Sequence, residues 1–118
     1  MIVTASARRK GQRAERDAVA ALRALGLDAA TSRSLTGGLQ RGADVHCPTL
    51  PLAIEVKDHA RDALPQWLDQ ARAQASEDRP GAVVHKRRGK ADAAEWFVTL
   101  QLGDLVRLLT VTREVRRG

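Results

Sequence analysis

The chain has 118 residues, a formal net charge of +6 and a sequence pI near 10.7, which leaves room for one hydrophobic core and excludes two ordinary domains. Its 43% apolar content is ordinary but comes mostly from Ala, Leu and Val, so an aliphatic core is expected with Trp67 and Trp96 as its largest fillers. No stretch reaches membrane-span length, Met1-Ile2-Val3-Thr4 opens no signal peptide, and the single Cys47 excludes an internal disulfide; a soluble cytoplasmic protein with a reduced, buried thiol is expected.

In chain order, Ala18, Val19, Leu22 and Leu25 recur at helical spacing and predict a first helix from Gly11 to Leu25, with Gly26 as its left-handed C-terminal cap. Projected around that helix, Glu15 falls inside the apolar stripe while Lys10, Arg13 and Arg23 point away. A carboxylate aimed inward needs a partner. Residues Leu27 to Arg33 predict a strand, and the Gly-rich run from Ser34 to Gly42 a flexible loop. Ala43-Asp44-Val45-His46-Cys47 is a short strand ended by Pro48. Leu52-Ala53-Ile54-Glu55-Val56-Lys57 alternates at period two and forms a hairpin with it.

Leu64, Trp67, Leu68, Ala71 and Ala75 mark a second helix with Pro65 in its first turn, broken by Asp78-Arg79-Pro80-Gly81. Two strands follow, Ala82 to His85 and Trp96 to Leu100. A short last helix carries Leu102, Leu105, Val106 and Leu109, with Asp104 near its N-terminus. This order predicts an α/β domain, a mixed sheet flanked by helices.

The positive residues fall into three groups: Arg8, Arg9, Lys10, Arg13 and Arg16; His85-Lys86-Arg87-Arg88-Gly89-Lys90; and Arg113, Arg116 and Arg117. Three clusters around a separate acidic motif point to a phosphate-binding surface, with nucleic acid as the leading partner class. The 85–90 segment has no interleaved aromatics, so contact with the nucleic-acid backbone rather than base stacking is expected there.

Strand alternation puts Glu55 and Lys57 on one face and Ile54 and Val56 on the other, with the core. Hairpin pairing brings the Asp44 carboxylate beside Glu55, and Glu15 adds a third acid. Such hard oxygen donors suit Mg²⁺, or Mn²⁺ in its place, which binds through one or two carboxylates plus waters and substrate phosphate. That set fits phosphodiester hydrolysis: the metal activates a water, and Lys57 either orients it or neutralises charge on the phosphate. His46 and His59, two residues beyond Asp44 and Lys57, can point toward the same place.

These residues resemble the PD-(D/E)XK nucleases, and within them the archaeal-type and phage-type Holliday junction resolvases. The matching elements are Lys10-Gly11-x-x-x-Glu15-Arg16, Arg33-Ser34, Gly42-x-Asp44, Ile54-Glu55-Val56-Lys57, Gln70 and the closing strand from Trp96, together spanning about residues 10 to 109. Ala43 stands where the family's name-giving proline would be, which removes a turn preference and no catalytic group. The resemblance implies a restriction-endonuclease-like fold, a single nuclease domain over 1–118 with a basic arm at 1–10 and a basic tail at 111–118. It also implies metal ligation by Asp44 and Glu55 with the Val56 carbonyl as an extra ligand, Lys57 at the attacking water, and Glu15 as an outer metal-site or water-positioning acid. Arg33 and Ser34 would lie near the scissile phosphate, with Gln70 a further DNA contact.

Three functions follow as expectations. One is a homodimeric, structure-selective endonuclease for four-way or branched DNA; a second is a related nuclease with nicking, flap or single-strand preference. The third is a DNA-binding module without catalysis.

Overall fold

Helix α1, Ala5–Ala24, begins six residues earlier than its apolar periodicity predicts. Its N-terminus is set by Thr4, whose Oγ1 accepts from the Ala7 N–H at 3.1 Å, a capping contact available to Ser, Thr, Asp or Asn. Arg8, Arg9 and Lys10 are therefore helical and not part of an extended arm. The helix ends as expected: Gly26 has φ +94°, and the Leu27 N–H reaches back to the Leu22 carbonyl at 3.0 Å. The structure, a computed structural model, describes residues 4–37 and 43–117, with side chains described to residue 110.

Strand β1 is only Ala30–Thr31, shorter than the predicted Leu27 to Arg33, and a one-turn helix, α2, Ser32–Leu35, replaces the end of that strand and the start of the predicted loop. Thr31 ends the strand by capping this turn, its Oγ1 accepting from the Ser34 N–H at 3.2 Å. The rest of that loop, 38–42, lies outside the described residues, and with it the Gly42 of the Gly42-x-Asp44 motif. Strands β2, Val45–His46, and β3, Ala53–Lys57, pair antiparallel with Val45 opposite Ile54, the predicted hairpin. Helix α3, Leu64–Ala73, then crosses to β4, Gly81–His85, which lies parallel to β3 from Ala53↔Gly81 to Lys57↔His85. A 3₁₀ turn, Ala93–Glu95, delays the closing strand β5, Phe97–Thr99.

The last helix, α4, runs Leu102–Arg117 and continues through the predicted tail; the side chains of Arg113, Arg116 and Arg117 lie outside the described residues. Sheet order is β1-β2-β3-β4-β5, antiparallel except for β3 and β4. The protein is thus a mixed α/β structure built on a five-stranded mixed sheet with helices.

Both faces of β3 are covered. Ile54 and Val56 pack with Ala14, Ala18, Val19 and Trp96, and on the opposite side Val83 packs with Trp67 and Ala71. The two Trp thus anchor one core cluster each. Cys47 is free and buried. Among the described residues, no helix is long and apolar enough to cross a membrane.

Candidate metal and nucleic-acid site

Asp44 stands where β2 begins, its N–H donating to the Ile54 carbonyl at 2.9 Å. The register of Val45 against Ile54 puts Asp44 across from Glu55, where cross-strand side chains share a face. Its Oδ2 accepts from the Val56 N–H at 2.8 Å, which holds the carboxylate against β3. A side-chain hydrogen bond with Asp44 favours the protonated form of Glu55. Glu55 is 9% exposed. Burial first, and then the Asp44 charge and the shared hydrogen bond, push its pKa from 4.5 to about 8; Lys57 opposes the shift and Glu15 adds to it.

Glu15 is 7% exposed, buried on α1 beside Ala14 and Ala18, as the helical projection requires. Its charge is felt at Glu55, yet no three His, Cys, Asp or Glu side chains among the described residues close on one point as a metal cage. The pair is therefore Asp44 and Glu55, with Glu15 behind it. Two buried carboxyl groups side by side are, once ionised, a donor set that fits Mg²⁺, which needs one or two carboxylates and takes its remaining ligands from water and phosphate.

Lys57 ends β3 half-buried, opposite His85, and its carbonyl accepts from the Lys86 N–H at 2.9 Å. That hydrogen bond ties the basic segment to the strand carrying Glu55. Lys86 Nζ and Lys10 Nζ both reach Asp58, at 3.8 and 3.6 Å. Asp58, one residue beyond Lys57, thereby joins α1 to the 85–90 segment. A cleft of about 450 Å³ lies there, lined by Arg9, Lys10, Arg13, Arg16, Asp58 and Lys86 among others.

The remaining predicted contacts separate. Arg8 is exposed on α1 but does not line that cleft. The Ser34 hydroxyl donates to the Thr31 carbonyl at 2.9 Å within its own turn, and the neighbouring Arg33 is half-buried. Gln70 is exposed on α3 and lines neither of the two basic clefts. Lys90 pairs with Glu95 at 3.6 Å, and its carbonyl accepts from Trp96 Nε1 at 2.8 Å, so it braces the loop against the core. His46 is exposed on β2. His59 belongs to a second cleft.

That second cleft, about 270 Å³, opens beside Lys57 and is lined by His59, Trp67, His85, Phe97, Lys86, Arg87 and Arg88 among others. The basic segment therefore does have aromatic company. His85 opens the segment itself, whereas Trp67 on α3 and Phe97 on β5 are brought in by the fold, which sequence adjacency cannot show; the other local signal was His59 two residues past Lys57. Compared with protein-family profiles, curated proteins and solved structures, the chain has no significant match.

Proposed function

We propose that the chain is a metal-dependent DNA endonuclease with a restriction-endonuclease-like fold, hydrolysing phosphodiester bonds in branched DNA in the manner of a Holliday junction resolvase. One observation carries the reading: Asp44, at the start of β2 and held by the Val56 N–H, faces Glu55 across the hairpin, and the strand carrying Glu55 ends in Lys57 at a basic cleft. A pure DNA binder gains nothing from pressing two carboxylates together beside the phosphates it must attract.

Asp44 and Glu55 would hold Mg²⁺, or Mn²⁺ in its place, with the Val56 carbonyl as an added ligand. When bound, the cation supplies Lewis-acid activation of a water and of the phosphoryl oxygen. Asp44 is preorganised for this by the Val56 N–H, and Glu55 would serve as the ionised carboxylate, its proton passing to solvent water. Lys57 carries its ammonium toward the phosphate and stabilises charge that builds there. Glu15 keeps the site acidic from α1 and positions water. Arg9, Arg13, Arg16, Arg87 and Arg88 hold the DNA backbone on either side.

A homodimer belongs to the same reading. It draws support from Leu102, Leu105, Val106 and Leu109, a helical stripe left exposed along α4, since an apolar patch of that kind often marks an association surface.

The test is cleavage in Mg²⁺ of a fixed four-way junction against linear duplex, flapped and single-stranded DNA of matched sequence. Paired nicks confined to the junction are expected. Asp44→Asn and Glu55→Gln should each lower cleavage by at least a hundredfold, the size of effect seen when groups stabilising transition-state charge are removed, while DNA affinity holds or rises. Normal cleavage by both variants sinks the catalytic reading, and equal cutting of all substrates sinks the junction preference.

A further inference from the structure

We infer that the cleft beside Lys57 is a slot for an unpaired nucleobase, so that the enzyme engages DNA where a base has left the duplex stack. The inference rests on the nuclease reading only for its biological use; the slot itself is argued from the residues that form it.

Four rings from four parts of the chain form one row. His59 stacks on Trp67 with centroids 5.4 Å apart and planes 29° from parallel, Trp67 meets His85 at 6.2 Å, and His85 meets Phe97 at 5.8 Å. The middle of the row is fixed: Trp67 is buried, and His85 Nε2 is hydrogen-bonded to Thr99 Oγ1 at 3.0 Å. The ends are open, His59 being exposed and Phe97 53% exposed. The Phe97 ring, so exposed at the mouth of the cleft, carries the Arg87 guanidinium over one face, and a planar ligand stacks on that guanidinium or takes its place.

Charge selects the ligand class. Lys57, Lys86, Arg87 and Arg88 line the same cleft against a single acid among the described residues, Asp62, and the Arg87 guanidinium lies 4.8 Å over the Phe97 ring. Aromatic faces inside a cationic rim suit a group that is flat at one end and anionic at the other, and a nucleotide in a single strand is that shape. Proteins that hold single strands combine a positive groove with stacking rings in this way. A paired base has both faces covered by its neighbours and cannot enter. Since Lys57 borders both the slot and the carboxylate pair, a base seated there leaves its own phosphodiester close to the proposed cutting site.

The experiment measures binding in EDTA, where no cleavage interferes. Fluorescence anisotropy compares a short labelled oligothymidylate with an abasic strand of equal length and with a matched duplex. Wild-type protein is expected to bind the base-bearing strand roughly tenfold more tightly than the abasic one, the contribution of about one stacked base. Phe97→Ala should bring that ratio close to one and leave duplex affinity unchanged. His59→Ala should lower the ratio in part, and both positions are exposed, so the fold tolerates the changes. Equal binding of base-bearing and abasic strands by the wild-type protein overturns the slot, as does an unchanged ratio in both variants. Because no metal is present, the slot can stand while the Asp44→Asn and Glu55→Gln cleavage assay fails, and the reverse.

Discussion

Glu55 carries a consequence for stability that can be measured without any substrate. In the folded chain its carboxyl keeps its proton up to about pH 8, against 4.5 for the free group. Between those values the native state holds a proton that the unfolded chain has released, so stability falls as pH rises. The favourable contribution is complete below pH 4.5 and is lost through pH 8. Urea denaturation in EDTA should therefore show a loss of stability from pH 5 to pH 8 that is smaller in Glu55→Gln. Added Mg²⁺ should restore part of it at pH 8 by stabilising the ionised pair. An identical pH slope in the wild type and the variant would remove the raised pKa from the account. Period-two alternation made the Asp44 and Glu55 encounter legible in the sequence, because hairpin register leaves cross-strand neighbours little choice. Asp58 was not legible: its partners Lys10 and Lys86 lie far from it in the chain, and only the packing of α1 on β3 together with the parallel pairing of β3 and β4 brings them to one carboxylate.

Among the elements, the parallel crossover from β3 to β4 depends on one close approach. A Cβ built on Gly81 would sit 2.4 Å from the Ala71 carbonyl carbon and 2.5 Å from its oxygen, so α3 lies on the sheet at a distance that only glycine allows. Gly81→Ala should cost about 1–3 kcal/mol or more, the usual range for forcing a methyl into a packed interior. In thermal denaturation that is a fall in Tm of roughly 5 °C or more. Ala71→Gly should give no rescue, because the atoms met are backbone; recovery in the double variant would contradict the packing described. Periodicity located α1, α3 and the β2–β3 pair, but misplaced ends wherever a side chain rather than a hydrophobic stripe set the boundary. Thr4 starts α1 early, and Thr31 converts the end of a predicted strand and the start of a predicted loop into α2. Arg79 was invisible to any periodicity, yet its guanidinium donates to the carbonyls of Cys47, Pro48 and Leu50, fixing the connection between β2 and β3. Asp104, expected only as a helix-terminal acid, pairs with Arg72 and so ties α4 to α3 through charge, and it also holds Arg107 one turn on.

Over the whole molecule, the positive charge that composition announced resolves into a track with two different kinds of surface. The cleft along α1 gathers Arg9, Lys10, Arg13 and Arg16 with no aromatic ring among its described residues, whereas the cleft past Lys86 gathers rings and cations together. Lys86 lines both, so on the proposed reading a strand lying across it would meet cations for its phosphates first and the base slot next. The two contributions separate in a salt titration. Phosphate neutralisation releases counterions, and each phosphate left unneutralised makes the log–log salt slope shallower by roughly 0.9 on duplex DNA and 0.7 on single strands. Arg13→Ala should therefore weaken binding to every DNA shape alike and reduce the slope by close to one unit. Asp58→Asn acts in the opposite direction, freeing Lys10 and Lys86 from a shared carboxylate and steepening the slope. Phe97→Ala should lower single-strand affinity with the slope unchanged, since stacking releases no ions. If Arg13→Ala leaves the slope as it was, the α1 cleft does not hold phosphates, and the track reduces to the segment around Lys86.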